Sequence, residues 1–236
     1  MRASVKAFVQ ARMSSRRYPG KVLAPFRGEP LIRHVVRAAT VALPPADVVV
    51  ATSTHVTDDP LVSYLQTLGV TVFRGPLDNV LQRFVLCLCE HPCDWVLRIN
   101  GDSPLLWPQL VRLFLQQAAR FEGDLITTIA PRTFPRGQNL ELIRSATLST
   151  LATRELTPDD SEHVTPYFYR NADQYRIDNV ESGNSTLSQS SMAVDTVDDL
   201  RRLEALTATE LQQFVPPVFS SAGLSMASQE VRSLLS

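Results

Sequence analysis

Arg12, Arg16, Arg17 and Lys21 crowd one stretch, FVQARMSSRRYPGKV from Phe8 to Val22, and no acidic residue appears before Glu29. Four cations without an acidic neighbour, at the end of an apolar run, suit an anion. A guanidinium offers a two-pronged fork and an ammonium a point charge. Two carboxylates extend the pattern. Asp102 in LRINGDSPLL and Asp195 in MAVDTVDDL each follow a short apolar run. Lone carboxylates near a polyphosphate suit Mg²⁺, which uses one or two of them together with substrate phosphates. A solvated loop is the plain alternative for the arginines, and helix N-capping for the aspartates.

Two common phosphate loops can be tested on the letters. A Walker A loop needs Gly five residues before its Gly-Lys pair and Ser or Thr after it. Gly20-Lys21 has Ser15 and Val22 at those places. A dinucleotide fingerprint needs G-x-G-x-x-G, and none of the nine glycines forms even a G-x-G. What remains is a longer loop in which small residues and arginines wrap the anion, with backbone N–H groups of residues 13–16 forming a nest. Gly101 is expected to allow a tight turn that presents Asp102 at a strand tip.

These groups need a scaffold. The chain has 236 residues, is 44% hydrophobic and 20% charged, and carries a net charge of −1. That balance suggests neither nucleic acid nor a membrane surface as partner, so the basic cluster is local. No apolar run approaches the roughly 18 residues of a membrane span. No secretory signal is visible. The Arg-rich start is better read as a strand and turn than as a transit peptide, which predicts a cytoplasmic protein. Of 23 basic residues only Lys6 and Lys21 are lysine. Cys87, Cys89, His91 and Cys93 cluster in CLCEHPC, but helical spacing makes Cys87 and Cys89 diverge. Buried, reduced thiols are expected there rather than zinc.

Strand-like runs alternate with amphipathic ones through Ile129: VKAFVQ, a helix over 31–41, DVVVAT, a helix over 59–68, VTVFRG, a helix over 78–89, DWVLRI, a helix over 108–121, and DLITTI. This predicts an α/β fold with a mostly parallel sheet flanked by helices. Such sheets bind ligands beyond the strand C-termini. The alternation loosens over 131–191, which predicts an inserted smaller lobe. SMAVDTVDDLRRLEAL restores strand then helix and should rejoin the sheet. One domain over 1–215 and a tail over 216–236, with a short helix near 229–235, complete the expected organisation.

The stretch QARMSSRRYPGK resembles the Q-A-R-M-G-S-T-R-L-P-G-K signature of spore-coat-polysaccharide-type cytidylyltransferases, relatives of the CMP-sialic acid and CMP-Kdo synthetases. The similarity continues in order through VVVAT, VFRGPLDNVLQRF, RINGDSPLL, FPRGQNLEL, SEHVTPYFYR and VDTVDDL. It implies a GT-A-like nucleotidyltransferase fold, CTP as donor, Mg²⁺ as cofactor and a homodimer. By position it implies Arg12, Ser15, Arg17 and Lys21 on the triphosphate, with Lys21, Arg12 and Asp102 catalytic. Arg74 and Asp78 would lie near base and ribose, and Asp102 and Asp195 would hold metal. Arg136, Gln138, Asn139, Glu141, His163 and Tyr167 would face the acceptor, with Arg136 as a fork for a sugar carboxylate.

The chain departs from the family's pattern in several places: Ser14 replaces Gly and Arg16 replaces Thr in the signature, Asn139 stands where a carboxylate is frequent, and NGDSPL stands for TGDCPL. The activity expected is CMP transfer from CTP to a nonulosonate- or Kdo-like acidic sugar, for surface glycan synthesis. A sugar phosphate or phosphonate acceptor is the alternative among nucleotidyltransferases. A GT-A glycosyltransferase usually shows D-x-D, where NGDSP offers one carboxylate. A noncatalytic nucleotide-binding subunit is the remaining alternative.

Overall fold

The computed structural model describes residues 3–224. Strand β1 (Val5–Gln10) leads through the basic loop to a two-stranded ribbon, β2 (Pro25–Phe26) and β3 (Glu29–Pro30). Then follow α1 (Leu31–Thr40), β4 (Val48–Ser53), α2 (Asp59–Thr67), β5 (Thr71–Gly75), α3 (Val80–Glu90), β6 (Trp95–Asn100), α4 (Pro108–Ala118) and β7 (Leu125–Thr127). Beyond it lie β8 (Leu140–Arg144), α5 (Ser145–Leu151), α6 (Pro158–His163), α7 (Pro166–Arg170), β9 (Ile177–Asn179), α8 (Val197–Glu204), α9 (Ala208–Gln212) and α10 (Pro217–Ser221).

The predicted alternation is present. Helix α3 starts at Val80 rather than Asp78 because the Asn79 side chain accepts from the Gln82 N–H. In α1, Leu31, Ile32, Val35, Ala38 and Ala39 fall at helical spacing and are buried together. Strand β1 is covered on both faces. Ala7 and Val9 enter a core with Val35, Trp107 and Phe114, while Phe8 enters a second with Phe84 and Phe168. Phe8 and Phe84 meet edge to face at 5.8 Å. Burying each such ring contributes about 1.5–3 kcal/mol.

Among the described residues, the main sheet has seven strands in the order β5-β4-β1-β6-β8-β7-β9. Only β8 runs against the others. Strand β1 lies between β4 and β6, parallel to both, so the chain leaves it toward one edge and later returns on its other side. Their C-terminal tips form the crevice at a reversal of strand order, where α/β sheets hold ligands.

The second half differs from expectation. The 131–191 segment is not a separate lobe, since β8 is inserted between β6 and β7 and β9 extends the edge. The period of two in LELIR explains it: Leu140 and Leu142 join one core and Ile143 the other. The segment SMAVD does not rejoin the sheet as a strand. It is held by an isolated bridge between Arg136 and Ser191, by the Met192 N–H on the Arg136 carbonyl at 2.6 Å and by the Val194 N–H on the Asp102 carbonyl at 2.9 Å. The supposed tail begins as core, with Phe219 fully buried and edge-on to Trp107 at 5.7 Å. The helix expected near 229–235 lies outside the described residues. Cys87 is buried, with its thiol pKa pushed up by burial, but Cys89 is exposed and Cys93 half-buried. Among the described residues, no helix is long and apolar enough to cross a membrane.

Candidate active site

A cavity of about 590 Å³ opens at the tips of β1 and β6. The basic loop, the β6 tip, α6 and Asp195 wall it, and four cations there (Arg12, Arg16, Arg17, Lys21) face four carboxylates (Asp102, Asp159, Glu162, Asp195).

The basic loop is pinned from below. Asp58 is fully buried and accepts from the Met13 N–H at 2.7 Å, the Ser53 N–H at 3.0 Å and the Thr52 hydroxyl at 3.0 Å. The Ser15 N–H is used on the Met13 carbonyl at 2.9 Å. Two donors of the expected 13–16 nest are therefore spent inside the protein. Ser14 is exposed and does not line the cavity, whereas Arg16 does. The loop closes at Gly20, whose φ of 75° favours glycine.

Lys21 is buried and fully engaged. Its Nζ donates to Asp102 Oδ2 at 2.8 Å, the Val194 carbonyl at 2.8 Å and Asp195 Oδ1 at 3.0 Å. Arg17 reaches Asp195 Oδ1 at 2.8 Å. Asp102 and Asp195 thus converge on one cation. Neither caps a helix: Trp107 precedes α4, and Thr196 caps α8 in a capping box with Asp199. Asp195 sits not on a strand end but in a turn tied to β6 by the Val194 N–H on the Asp102 carbonyl at 2.9 Å. Asp199 Oδ2 accepts from the Asp195 and Thr196 N–H groups at 3.1 and 2.9 Å, fixing that turn.

Gly101 earns its place by contact rather than by φ. A Cβ there would lie 2.8 Å from the Ala11 Cβ and 2.9 Å from the Gln10 carbonyl oxygen. Only a bare backbone lets the β6 tip approach β1 this closely.

Helix α6 forms the opposite wall. Its Glu162 pairs with Arg12 Nη2 at 2.5 Å, and His163 Nε2 lies 3.5 Å from Asp159. Val164 follows with φ 66° and ψ −62°, and the Thr165 N–H donates to the His163 carbonyl at 2.8 Å. This γ-turn is the strained, positive-φ form, unusual for a β-branched residue. It stands next to the only acceptor candidate of the sequence analysis that lines the cavity.

The other candidates lie elsewhere. Arg74 donates to the Ser53 and His55 carbonyls at 2.9 and 3.1 Å and pairs with Asp59 at 2.7 Å. Asp78 is exposed outside the cavity. Gln138 is fully buried, donating to the Leu105 carbonyl at 2.7 Å and accepting from the Trp107 N–H at 3.1 Å. Glu141 is buried against Arg98 and accepts from the Tyr169 hydroxyl at 2.6 Å. Burial first, then Glu141, raises the Tyr169 pKa. Asn139 accepts from Arg132, and Tyr167 accepts from Arg154 at 3.2 Å. Arg136 is exposed away from the cavity. Gly137, at φ 89°, lets its loop lie against residues 192–193, where a Cβ would meet the Met192 carbonyl carbon at 2.5 Å.

Glu162, Asp159, Asp58 and Arg83 were not among the residues expected from the sequence. Arg83 is fully buried and donates to the Pro76 and Leu77 carbonyls at 2.5 and 3.3 Å. Burial, then Arg12, lowers its pKa to about 10. Arg12 also donates to the Leu77 carbonyl, at 3.4 Å, so Arg83 steadies the turn behind it. Of these, Glu162 alone carried a signal, its place beside His163 in SEHVTPY.

The donor chemistry fits a hard divalent ion. Among the described residues, no group of three or more His, Cys, Asp or Glu is arranged to hold a metal ion by itself. Two carboxylates converging on one point beside a basic loop are the kind of ligand set that Mg²⁺ uses with phosphates.

The sequence pattern described as "Cytidylyltransferase" matches residues 7–220. The chain is 32% identical over 205 residues to the spore coat polysaccharide biosynthesis protein SpsF of Bacillus subtilis (strain 168), covering 84% of each chain. Its fold is similar to that of a cytidylyltransferase from Leptospira borgpetersenii, with a TM-score of 0.81, 23% identity, and 99% of this chain and 92% of that one covered. It is also similar to CMP:2-keto-3-deoxy-manno-octonic acid synthetase complexed with CTP, with a TM-score of 0.65, 22% identity, and 88% and 100% covered. The expected nucleotidyltransferase fold is therefore present, and the chain belongs to the cytidylyltransferase family.

Proposed function

We propose that this enzyme transfers CMP from CTP to an acidic sugar of the nonulosonate or Kdo kind, releasing pyrophosphate, in the synthesis of surface glycans. The observation that carries this reading is the cavity itself, where an anion loop and an aspartate pair converge on one point. The related synthetase was solved with CTP, and the spore-coat relative serves polysaccharide synthesis by name, which supports donor and pathway.

In this reading a hydroxyl of the sugar attacks the α-phosphorus in line and gives up its proton to solvent, and the bond from that phosphorus to the oxygen shared with the β-phosphate breaks as pyrophosphate leaves. Arg12, Arg16 and Arg17 bind and orient the triphosphate. Lys21 then meets charge growing on the leaving group, an electrostatic gain realised in the transition state. Asp102 and Asp195 would hold Mg²⁺, which when bound withdraws charge from the phosphates. Helix α6 presents His163 to the acceptor side, so the acceptor approaches over β6 and α6 rather than over Arg136. A homodimer belongs to the same reading.

A pyrophosphate-release screen of four NTPs against a panel of acidic sugars tests it. CTP with an acidic sugar should give release, and release only with a sugar phosphate would move the reading to that acceptor class.

A further inference from the structure

An ammonium has three donors, and Lys21 uses all of them on Asp102, Asp195 and the Val194 carbonyl within 3.0 Å. Its side chain is 10% exposed, so the charge is held inside the wall of the cavity rather than offered to it. We propose that Lys21 is a stand-in cation. In the nucleotide-free protein it holds the two carboxylates together and keeps a free divalent ion out. The metal then enters only with a triphosphate that draws the ammonium away. This rests on the carboxylate pair being the metal ligands, as proposed above.

The physical argument is one of shared space. Two carboxylates this close to one point repel unless a cation lies between them. A dication and an ammonium cannot both occupy that place, because like charges at such distances repel strongly. Metal affinity is therefore reduced by the fraction of molecules in which the lysine has swung out. A triphosphate changes the balance, since it offers the ammonium other oxygens just outside the pair. Arg17, on the same Asp195 oxygen, strengthens the exclusion. The Val194 contact adds a structural consequence: the lysine also ties the 192–195 turn to the β6 tip, so the metal site is assembled before metal arrives.

The test uses Mn²⁺ as the probe, counted by the electron paramagnetic resonance of the free ion. Full-length wild type, Lys21→Met and Lys21→Gln are compared with and without CTP. Without nucleotide, both variants should bind Mn²⁺ at least about tenfold more tightly than wild type, as for a competent fraction of about one tenth in wild type. Adding Asp102→Asn to either variant should remove the gain. With CTP present the order should invert, wild type binding Mn²⁺ and nucleotide more tightly, because the lysine then serves phosphate. A lysine with a merely structural role would not reverse sign. Equal Mn²⁺ affinity of nucleotide-free wild type and variants overturns the proposal, as does a gain that survives Asp102→Asn. Wild-type protein binding Mn²⁺ equally well with and without CTP overturns it on the unmutated chain. If Asp102→Asn binds Mn²⁺ with CTP as wild type does, the carboxylate pair is not the metal site and the underlying reading falls too.

Discussion

Arg12 Nη2 and Glu162 Oε1 lie 2.5 Å apart, joining the basic loop after β1 to α6 across the mouth of the cavity. Both side chains are about two-thirds covered, at 27% and 33% exposure. A triphosphate that uses Arg12 must compete with this carboxylate. Glu162→Gln should therefore tighten CTP binding by about two- to fivefold, the range of a partly exposed ion pair. Arg12→Ala should weaken it. Calorimetric titration checks both, and weaker CTP binding by Glu162→Gln would mean that the glutamate holds Arg12 in its working pose.

The two lysines make an internal control. Lys6 pairs with Asp47 at 2.7 Å on the body of β1, remote from the strand tip. Lys21→Ala should slow pyrophosphate release by about 10²-fold, as for one lost electrostatic contact to the leaving group. Lys6→Ala should leave the rate within about twofold, as expected of a surface ion pair. Equal losses would make the basic cluster structural.

Two residues first assigned to one acceptor surface should separate in their effects. Glu141 is 2% exposed against Arg98, so Glu141→Ala strands a buried guanidinium and should cost about 3–5 kcal/mol. At this chain length that lowers Tm by about 6 °C or more. Arg136→Ala, on an exposed side chain, should leave Tm within about 2 °C. Thermal melts of the two variants decide it, and the opposite order would contradict the buried network.

Acid should loosen the turn that carries Asp195. Burial alone would raise the Asp199 pKa, but its bonds from Thr196 and the Asp195 and Thr196 N–H groups bring it below the ordinary 3.8. A carboxylate depressed in the folded state stabilises fully above its unfolded pKa. That stability is lost as pH falls through the lower folded value. Melting curves between pH 6 and 3 should fall steeply below about pH 4. Asp199→Asn should flatten that fall, and an unchanged profile would show that the turn is held by other contacts.

Much of this was legible in the letters. The alternation through Ile129, the loop after β1 and Asp102 at the β6 tip were readable because each rests on local pattern, whereas the strand expected before Asp195 is a turn. His163 was readable too, through its motif. The misplacements share a physical cause. Gln138 and Glu141 are polar residues in an apolar strand context, and whether such a side chain meets solvent or a buried partner depends on β8 entering the sheet antiparallel. Nothing local marks that topology. Arg74 was placed near the nucleotide by resemblance, but Asp59 and two carbonyls of the β4 end claim it. Asp58 left no trace because its partners, Met13 and residues 52–53, lie on other elements.

The central claim is that the cavity at the tips of β1 and β6 transfers a cytidylyl group with the aid of Asp102. The direct measurement is ³¹P NMR of the reaction with CTP, Mg²⁺ and the sugar panel, run on wild type and Asp102→Asn. The account predicts pyrophosphate together with a single new phosphodiester signal joining CMP to the sugar, reduced about 10²-fold or more in the variant. Release of CDP or CMP without that diester, or an undiminished signal in Asp102→Asn, would contradict it.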